Sequence, residues 1–265
     1  MRGRVLIIAG SDSGGGAGIQ ADIKAVTMLD AFAATAITAL TAQNTEGVHG
    51  VLPIDPTFIR QQMEVVLDDI GADAIKTGML HDGAVIETVA AVLADRAAHT
   101  PLVLDPVMVA KGGAPLIQME AIEALKTRLL PRATILTPNL PEAEILLGRA
   151  IPDVSAMREA AQKLRALGCD AVLLKGGHLE GRTVHDMLAT ANGLTEWTSP
   201  RIDSRHTHGT GCTLASAIAA GLAQRMDIVP AVERARDYVY RAIASAPGIG
   251  RGHGPLDHAH PLRAN

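Results

Sequence analysis

The sequence predicts an α/β fold in which a mostly parallel sheet lies between layers of helices. Short apolar runs alternate with helical patterns along most of the chain, and this alternation marks strands joined by crossover helices. Hydrophobic residues make up 48% of the 265 residues but aromatics only 2%, so the core is left to Ala, Val, Leu, Ile and Met. An aliphatic core of that kind suits helices packed on a buried parallel sheet. The length fits one domain over residues 1–265 better than two small ones.

The first strand is the apolar run Val5 to Ala9, which enters the glycine-rich loop Ser11 to Gly18 and then a helical stretch from Ile19 to Leu29. Further strands are predicted at Ala36 to Leu40, Ala74 to Lys76, Leu102 to Leu104, Thr134 to Leu136 and Ala171 to Leu174. Helices are predicted at Thr57 to Asp68, Ala84 to Asp95, Met119 to Leu130, Pro141 to Leu147 and Ser155 to Leu167. Asn192-Gly193, between Arg182 to Leu188 and Leu194 to Trp197, favours a tight hairpin, so a small antiparallel edge follows the parallel strands. Trp197 is expected to anchor that hairpin. A loop from Asp203 to Gly211 leads into a small-residue helix, Cys212 to Ala223, and a last helix spans Val229 to Ala244.

Charge and cysteine content exclude several functions. With 24 basic and 28 acidic residues the net charge is −4, which offers no broad surface for nucleic acid. Cys169 and Cys212 are too far apart for a CxxC motif or a disulfide framework, which fits a reducing cytoplasm. The apolar run after the two N-terminal arginines has five residues, too short for a signal-peptide core or a membrane span. The histidines, including His206, His208, His253, His258 and His260, lack the spacing of a zinc site.

In an open α/β sheet, ligands gather at the carboxyl ends of the strands. Polar residues at those positions include Gly10 to Gly18, Gln43-Asn44, Asp105, Asn139 to Glu142 and Lys175 to Gly177. Gly16 to Ala21 satisfies a relaxed dinucleotide pattern. The loop is long for that role, however, and the second strand ends in Thr41-Ala42-Gln43 without an acidic residue to hold a ribose. No Gly-Lys dipeptide exists, so a Walker-type phosphate loop is excluded.

Thr207 to Thr213 leads directly into the apolar helix. Free N–H groups at a helix start, with glycines that allow close approach, form a cradle for a phosphoryl group. The same string also reads as an ordinary capped turn. A cysteine at a helix N-terminus is expected to have its thiolate favoured, which would equip Cys212 for proton transfer.

Seven ordered blocks carry a resemblance that spans almost the whole chain: AGSDSGGGAGIQADIKA, TALTAQNTEGV, KTGML, LDPVMVAKGG, LTPNLPEAEILLG, AVLLKGGHL and THGTGCTLASAIAA. The chain resembles the hydroxymethylpyrimidine and phosphohydroxymethylpyrimidine kinases of thiamine biosynthesis. These belong to the ribokinase-like superfamily, and the resemblance implies its three-layer sandwich. It also implies two successive phosphoryl transfers from ATP, first to a hydroxymethyl group on the pyrimidine and then to the monophosphate. Vitamin B6 kinases, which act on pyridoxal or pyridoxine, are similar and form the alternative; a pyrimidine-binding sensor without chemistry is a third reading.

By this resemblance, Asn139, Lys175, Thr207, Gly209 and Gly211 would hold ATP, and Asp105 and Glu142 would meet Mg²⁺. Glu142 alone would also read as a helix N-terminal acid. Lys175 and the amides of Gly209, Thr210 and Gly211 would stabilise the transferring group. Cys212 takes the place of the aspartate base of related sugar kinases. Gln43 would read the aminopyrimidine edge, whose donor and acceptor match a side-chain amide. Met79 and Val107 would wall the ring, while Asp22 and Gly10 would approach its polar substituents. Members of the group are commonly homodimers. Composition makes Ser13 to Gly18 and Ala110 to Pro115 candidates for loop closure.

Overall fold

In a computed structural model, which describes residues 1–108 and 119–263, nine strands form one sheet. The chain runs β1 (Arg4–Asp12), α1 (Gly18–Met28), β2 (Phe32–Gln43), β3 (Val48–Pro53), α2 (Pro56–Asp69), β4 (Ala74–Thr77), α3 (Gly83–Arg96) and β5 (Leu102–Leu104). It continues through α4 (Met119–Ala124), β6 (Ile135–Leu136), α5 (Leu140–Leu147), α6 (Val154–Arg165), β7 (Val172–Lys175), β8 (Thr183–Thr190), β9 (Gly193–Pro200), α7 (Thr210–Ala223) and α8 (Ile228–Ala244). The predicted helix over Met119 to Leu130 is α4 followed by a π turn, Leu125–Leu129, and a 3₁₀ turn, Leu130–Arg132. Pro131 supplies no N–H to continue the α ladder. The predicted loop Ala110 to Pro115 lies outside the described residues.

The sheet order is β3-β2-β1-β4-β5-β6-β7-β8-β9, with β2 through β7 parallel in space. The hairpin β8–β9 forms one antiparallel edge, as the Asn192-Gly193 signal predicts. The opposite edge was not foreseen: β3 pairs antiparallel with β2, bringing Gln43 opposite Val48. Gly50 and Pro53 obscure the strand pattern in sequence, and β3 is almost wholly exposed, so no apolar alternation announces it.

Alternation along β1 separates two cores. Val5, Ile7 and Ala9 face a cluster with α1, α7 and α8, whereas Leu6 and Ile8 face one with α2 through α6. Small residues let α7 pack closely on α8: a methyl at Gly221 would come 2.8 Å from the Ala231 side chain. Side-chain caps start several helices, Asp55 before Pro56, Asp82, Asn139 and Asp153. Trp197 packs against the α8 side, donating to Glu233 and lying 5.3 Å beneath the Arg236 guanidinium. No helix among the described residues is long and apolar enough to cross a membrane.

Candidate active site

The sheet order reverses at β1, whose neighbours β2 and β4 lie on opposite sides. At such a switch point the loops leaving the strands diverge and open a crevice. A cavity of about 1370 Å³ lies there, lined by residues that follow β1, β4, β5, β6 and β7. Its volume is enough for a nucleotide and a small substrate together.

Its centre is the start of α7. Gly209, at φ 81°, is the N-cap, and no side chain caps the helix. A side chain at Gly209 would overlap the Gly16 carbonyl and strain the left-handed backbone. The first-turn amides of a helix have no intrahelical acceptor; Thr210 N turns back to Thr207 O and Thr213 N to Gly209 O, which leaves the amides of the cavity-lining Gly211 and Cys212 as the cradle for an anion. A methyl at Gly211 would lie 3.3 Å from Lys175 Nζ and 3.8 Å from Asp105 Oδ2, which shows how closely the three strand and helix ends converge.

Lys175 Nζ is 3.2 Å from Asp105 Oδ1, and Thr137 also donates to that oxygen. Burial works to lower the lysine pKa, but the carboxylates of Asp105 and Glu142 outweigh it and raise it. Lys175 therefore stays cationic. Glu142 and Asn139 form a reciprocal capping box, Glu142 Oε2 accepting from the Asn139 amide and Asn139 Oδ1 from the Glu142 amide. The capping alternative for Glu142 is thus realised, while the residue still borders the cavity. Burial is the main cause pushing its carboxyl up to about 7, with Lys175 opposing and Asp105 adding to the rise.

Among the described residues no group of three or more His, Cys, Asp or Glu is arranged to hold a metal ion. Asp105 and Glu142 nonetheless suit a hard cation that takes its remaining oxygens from phosphate and water.

Cys212 overturns one expectation. Burial, the dominant influence, pushes its thiol up to about 11; Lys76 pulls it down, and Asp22 and Asp105 push it further up. The helix dipole and one lysine do not offset desolvation at this depth.

Asp22 is also placed differently from its expected role. It is fully buried and does not line the cavity. Both its oxygens are 2.9 Å from Lys76 Nζ, and Ser216 donates to Oδ1 at 2.7 Å. It is Lys76 that reaches the cavity wall, with Asp22 behind it. Burial outweighs the Lys76 and Ser216 contacts and leaves the Asp22 carboxyl above its usual range, whereas at Lys76 the neighbouring Asp22, Cys212 and Asp105 outweigh burial and raise the ammonium, which stays cationic.

Gly10, Gln43, Met79, Val107, Asn139, Thr207 and Thr210 all line the cavity. A methyl at Gly10 would collide with Met79 Cε at 2.6 Å, so Gly10 makes room for that side chain. Residues given no role by the sequence also appear. His208 lies between Asp12 Oδ2 at 2.9 Å and Gln43 Nε2 at 3.1 Å. Asp12 also ties the glycine loop, accepting from Gly14, Gly16 and Ala17. Asp186 and Arg236 pair at 2.9 Å at the far end, where Asp186 accepts from the Gly176 amide. Asp12, Lys76 and His208 stand inside blocks quoted above, so their motifs were visible and their partners were not.

The C-terminal segment is structural where described. His208 N donates to Gly254 O, His253 N to Thr45 O, and the buried His258 meets Thr213 Oγ1 at 2.9 Å.

Comparison with known proteins agrees with this geometry. The family model described as phosphomethylpyrimidine kinase matches residues 12–257. The chain is 47% identical over 256 residues to the hydroxymethylpyrimidine/phosphomethylpyrimidine kinase of Bacillus subtilis, covering 96% of this chain and 94% of that one. It is 51% identical over 257 residues to the thiamine biosynthesis bifunctional protein ThiED of Geobacter sulfurreducens, covering 97% of this chain but about half, 52%, of that longer protein. An ADP complex of Bacillus subtilis pyridoxal kinase superposes with a TM-score of 0.91 at 37% identity, covering 100% of both chains. An uncapped helix start beside a buried lysine and two carboxylates, together with a match over nearly the whole length, shows that the chain belongs to the phosphomethylpyrimidine kinase family.

Proposed function

We propose that this chain, as one kinase domain over residues 1–265, transfers the γ-phosphoryl group of ATP to the hydroxymethyl oxygen of 4-amino-5-hydroxymethyl-2-methylpyrimidine, and then to the monophosphate so formed. The observation that carries it is the convergence of Lys175 and Asp105 on Gly211 at the uncapped start of α7. Phosphoryl transfer passes through a loose transition state, so catalysis consists mainly of positioning and charge stabilisation. The amides of Gly211 and Cys212 and the Lys175 ammonium supply both.

Cys212 rests as a neutral thiol. It orients the hydroxyl and relays its proton late, the sulfur taking it while its own S–H hydrogen passes to an oxygen of the transferring phosphoryl group, once bonding to phosphorus has made the hydroxyl oxygen acidic. Asp105 and Glu142 would hold Mg²⁺, which when bound neutralises phosphate charge. Asn139 and Thr207 border the phosphate side, and Gln43, Met79, Val107 and Gly10 the pyrimidine side. Asp22 acts through Lys76.

The reading includes a homodimer and a cytoplasmic location. Exposed Val51, Leu52, Phe58 and Val65 on β3 and α2 support the first, and sedimentation of the purified chain tests it. ATP as donor and two unpaired thiols support the second.

The test is product identification by mass, with Mg²⁺ and ATP and with hydroxymethylpyrimidine, its monophosphate and pyridoxal offered separately. A diphosphate from the pyrimidine series is expected. Preference for pyridoxal, the reading favoured by the pyridoxal kinase superposition, would move the assignment there. Binding without transfer would make the chain a sensor.

A further inference from the structure

Beside Gln43 lies a group of side chains that phosphoryl transfer does not use. His208 Nε2 is 2.9 Å from Asp12 Oδ2 and 3.1 Å from Gln43 Nε2. Gln43 Oε1 is 3.2 Å from Thr41 Oγ1, and the same hydroxyl is 2.9 Å from Ser11 O. Asp12, Thr41, Gln43 and His208 all line the cavity.

Counting hydrogens across these contacts decides the orientation of the amide. Burial would raise the Asp12 pKa, but hydrogen bonds from His208 and from the amides of Ala17 and Gly14 outweigh it and hold the carboxyl below the usual range. An ionised carboxylate only accepts, so His208 Nε2 carries a hydrogen whether the ring is neutral or an imidazolium. With the Gln43 nitrogen toward it, two donors would face each other. On the other side, the single Thr41 hydroxyl hydrogen would have two acceptors, Ser11 O and Gln43 Oε1.

Exchanging the amide oxygen and nitrogen, which have nearly the same shape, removes the donor–donor contact and leaves the Thr41 hydrogen a single acceptor. The oxygen then shares the single His208 Nε2 hydrogen with Asp12 Oδ2 in a three-centre hydrogen bond. The nitrogen donates to Thr41, whose own hydrogen goes to Ser11. One oxygen lone pair and one amide hydrogen remain uncommitted.

We propose that His208, held by Asp12, is a positioning residue that fixes the Gln43 amide with its oxygen toward the imidazole, so that the site selects a ring edge carrying an amino group beside a ring nitrogen. The proposal rests on Gln43 as the substrate-reading residue. A freely turning amide would match either sequence of donor and acceptor, and a fixed one matches a single sequence. Selection against rings that lack the amino group thus depends on a residue that need not touch the substrate.

The experiment compares hydroxymethylpyrimidine with its analogue lacking the 4-amino group, in wild type, Gln43→Ala, His208→Phe, His208→Gln and the double variant Gln43→Ala/His208→Phe. Phenylalanine keeps the ring but has no N–H, whereas glutamine restores a donor. His208→Phe is expected to raise the KM for the pyrimidine about tenfold, the scale of one hydrogen bond, and to shrink discrimination against the analogue by a similar factor. The KM for ATP should stay within about twofold, His208→Gln should recover part of the loss, and the double variant should be no worse than Gln43→Ala alone.

If Gln43→Ala impairs pyrimidine use while His208→Phe leaves discrimination intact, or if the two losses simply add, the positioning role is wrong and Gln43 stands. If Gln43→Ala itself changes nothing, the substrate reading falls and the proposal with it.

Discussion

The two ends of the cavity work by different physics. Around Lys175, Asp105, Glu142 and Gly211, charges are packed out of water, and the ionisation of Lys175 and of Glu142 is set by each other and by Asp105. Around Asp12, His208 and Gln43 the contacts are directional hydrogen bonds on a partly exposed wall built by the β2–β3 hairpin and two loops. Low dielectric strengthens the first set and makes any unpaired member costly. The recognition wall instead concedes one hydrogen bond at a time. Substitutions at the transfer corner should therefore reduce turnover by orders of magnitude, and those on the wall should shift substrate preference modestly.

The largest expected effect is Lys175→Ala, with kcat lower by about a thousandfold, because it removes the cation facing the transferring group. Single-turnover product formation checks it; a loss below tenfold would erase the contrast between the two ends. Lys76→Met would leave Asp22 buried and unpaired, and is expected to destabilise the fold by about 3 to 5 kcal/mol, seen in urea unfolding. Lys76→Met/Asp22→Asn should recover much of that.

Cys212→Ala should lower kcat by about a hundredfold, the lower end for a proton-transfer group. With the thiol pushed up to about 11, no cysteine titration should appear in the wild-type rate between pH 6 and 9.

Glu142 sharpens the comparison through pH. Its folded carboxyl is raised to about 7, so the native state binds a proton more tightly than the unfolded chain does. Its contribution to stability is present below the unfolded carboxylate value and is lost as pH rises to about 7. Unfolding measured across that window should show this slope, and Glu142→Gln should flatten it. The smallest effect is expected from Arg251→Ala, since the Arg251–Glu46 pair is exposed, 86% and 46% for the two side chains. No measurable change in Tm or rate should follow.

Much of this molecule is legible in the chain. The strand runs, the Asn192-Gly193 hairpin and the alternation of helices and strands depend on local pattern, and they appear as expected. Strand β3 escaped because an exposed edge leaves no apolar period, although that hairpin is what presents Gln43. The candidate residues Gln43, Met79, Val107, Asn139, Lys175 and Gly211 do converge on one cavity, because strand ends gather wherever the connections reverse.

Tertiary structure alone decided the rest. Nothing local reveals that Asp22 is consumed by Lys76, that burial overrides the helix dipole at Cys212, or that Glu142 titrates near 7. Ionisation and hydrogen-bond direction depend on what stands within a few ångströms, and those neighbours come from distant parts of the chain. Gln43 and His208 are 165 residues apart, and Asp12 and His208 are 196 apart. The sequence names the chemical groups; only the fold determines which of them are desolvated and which way each donor points.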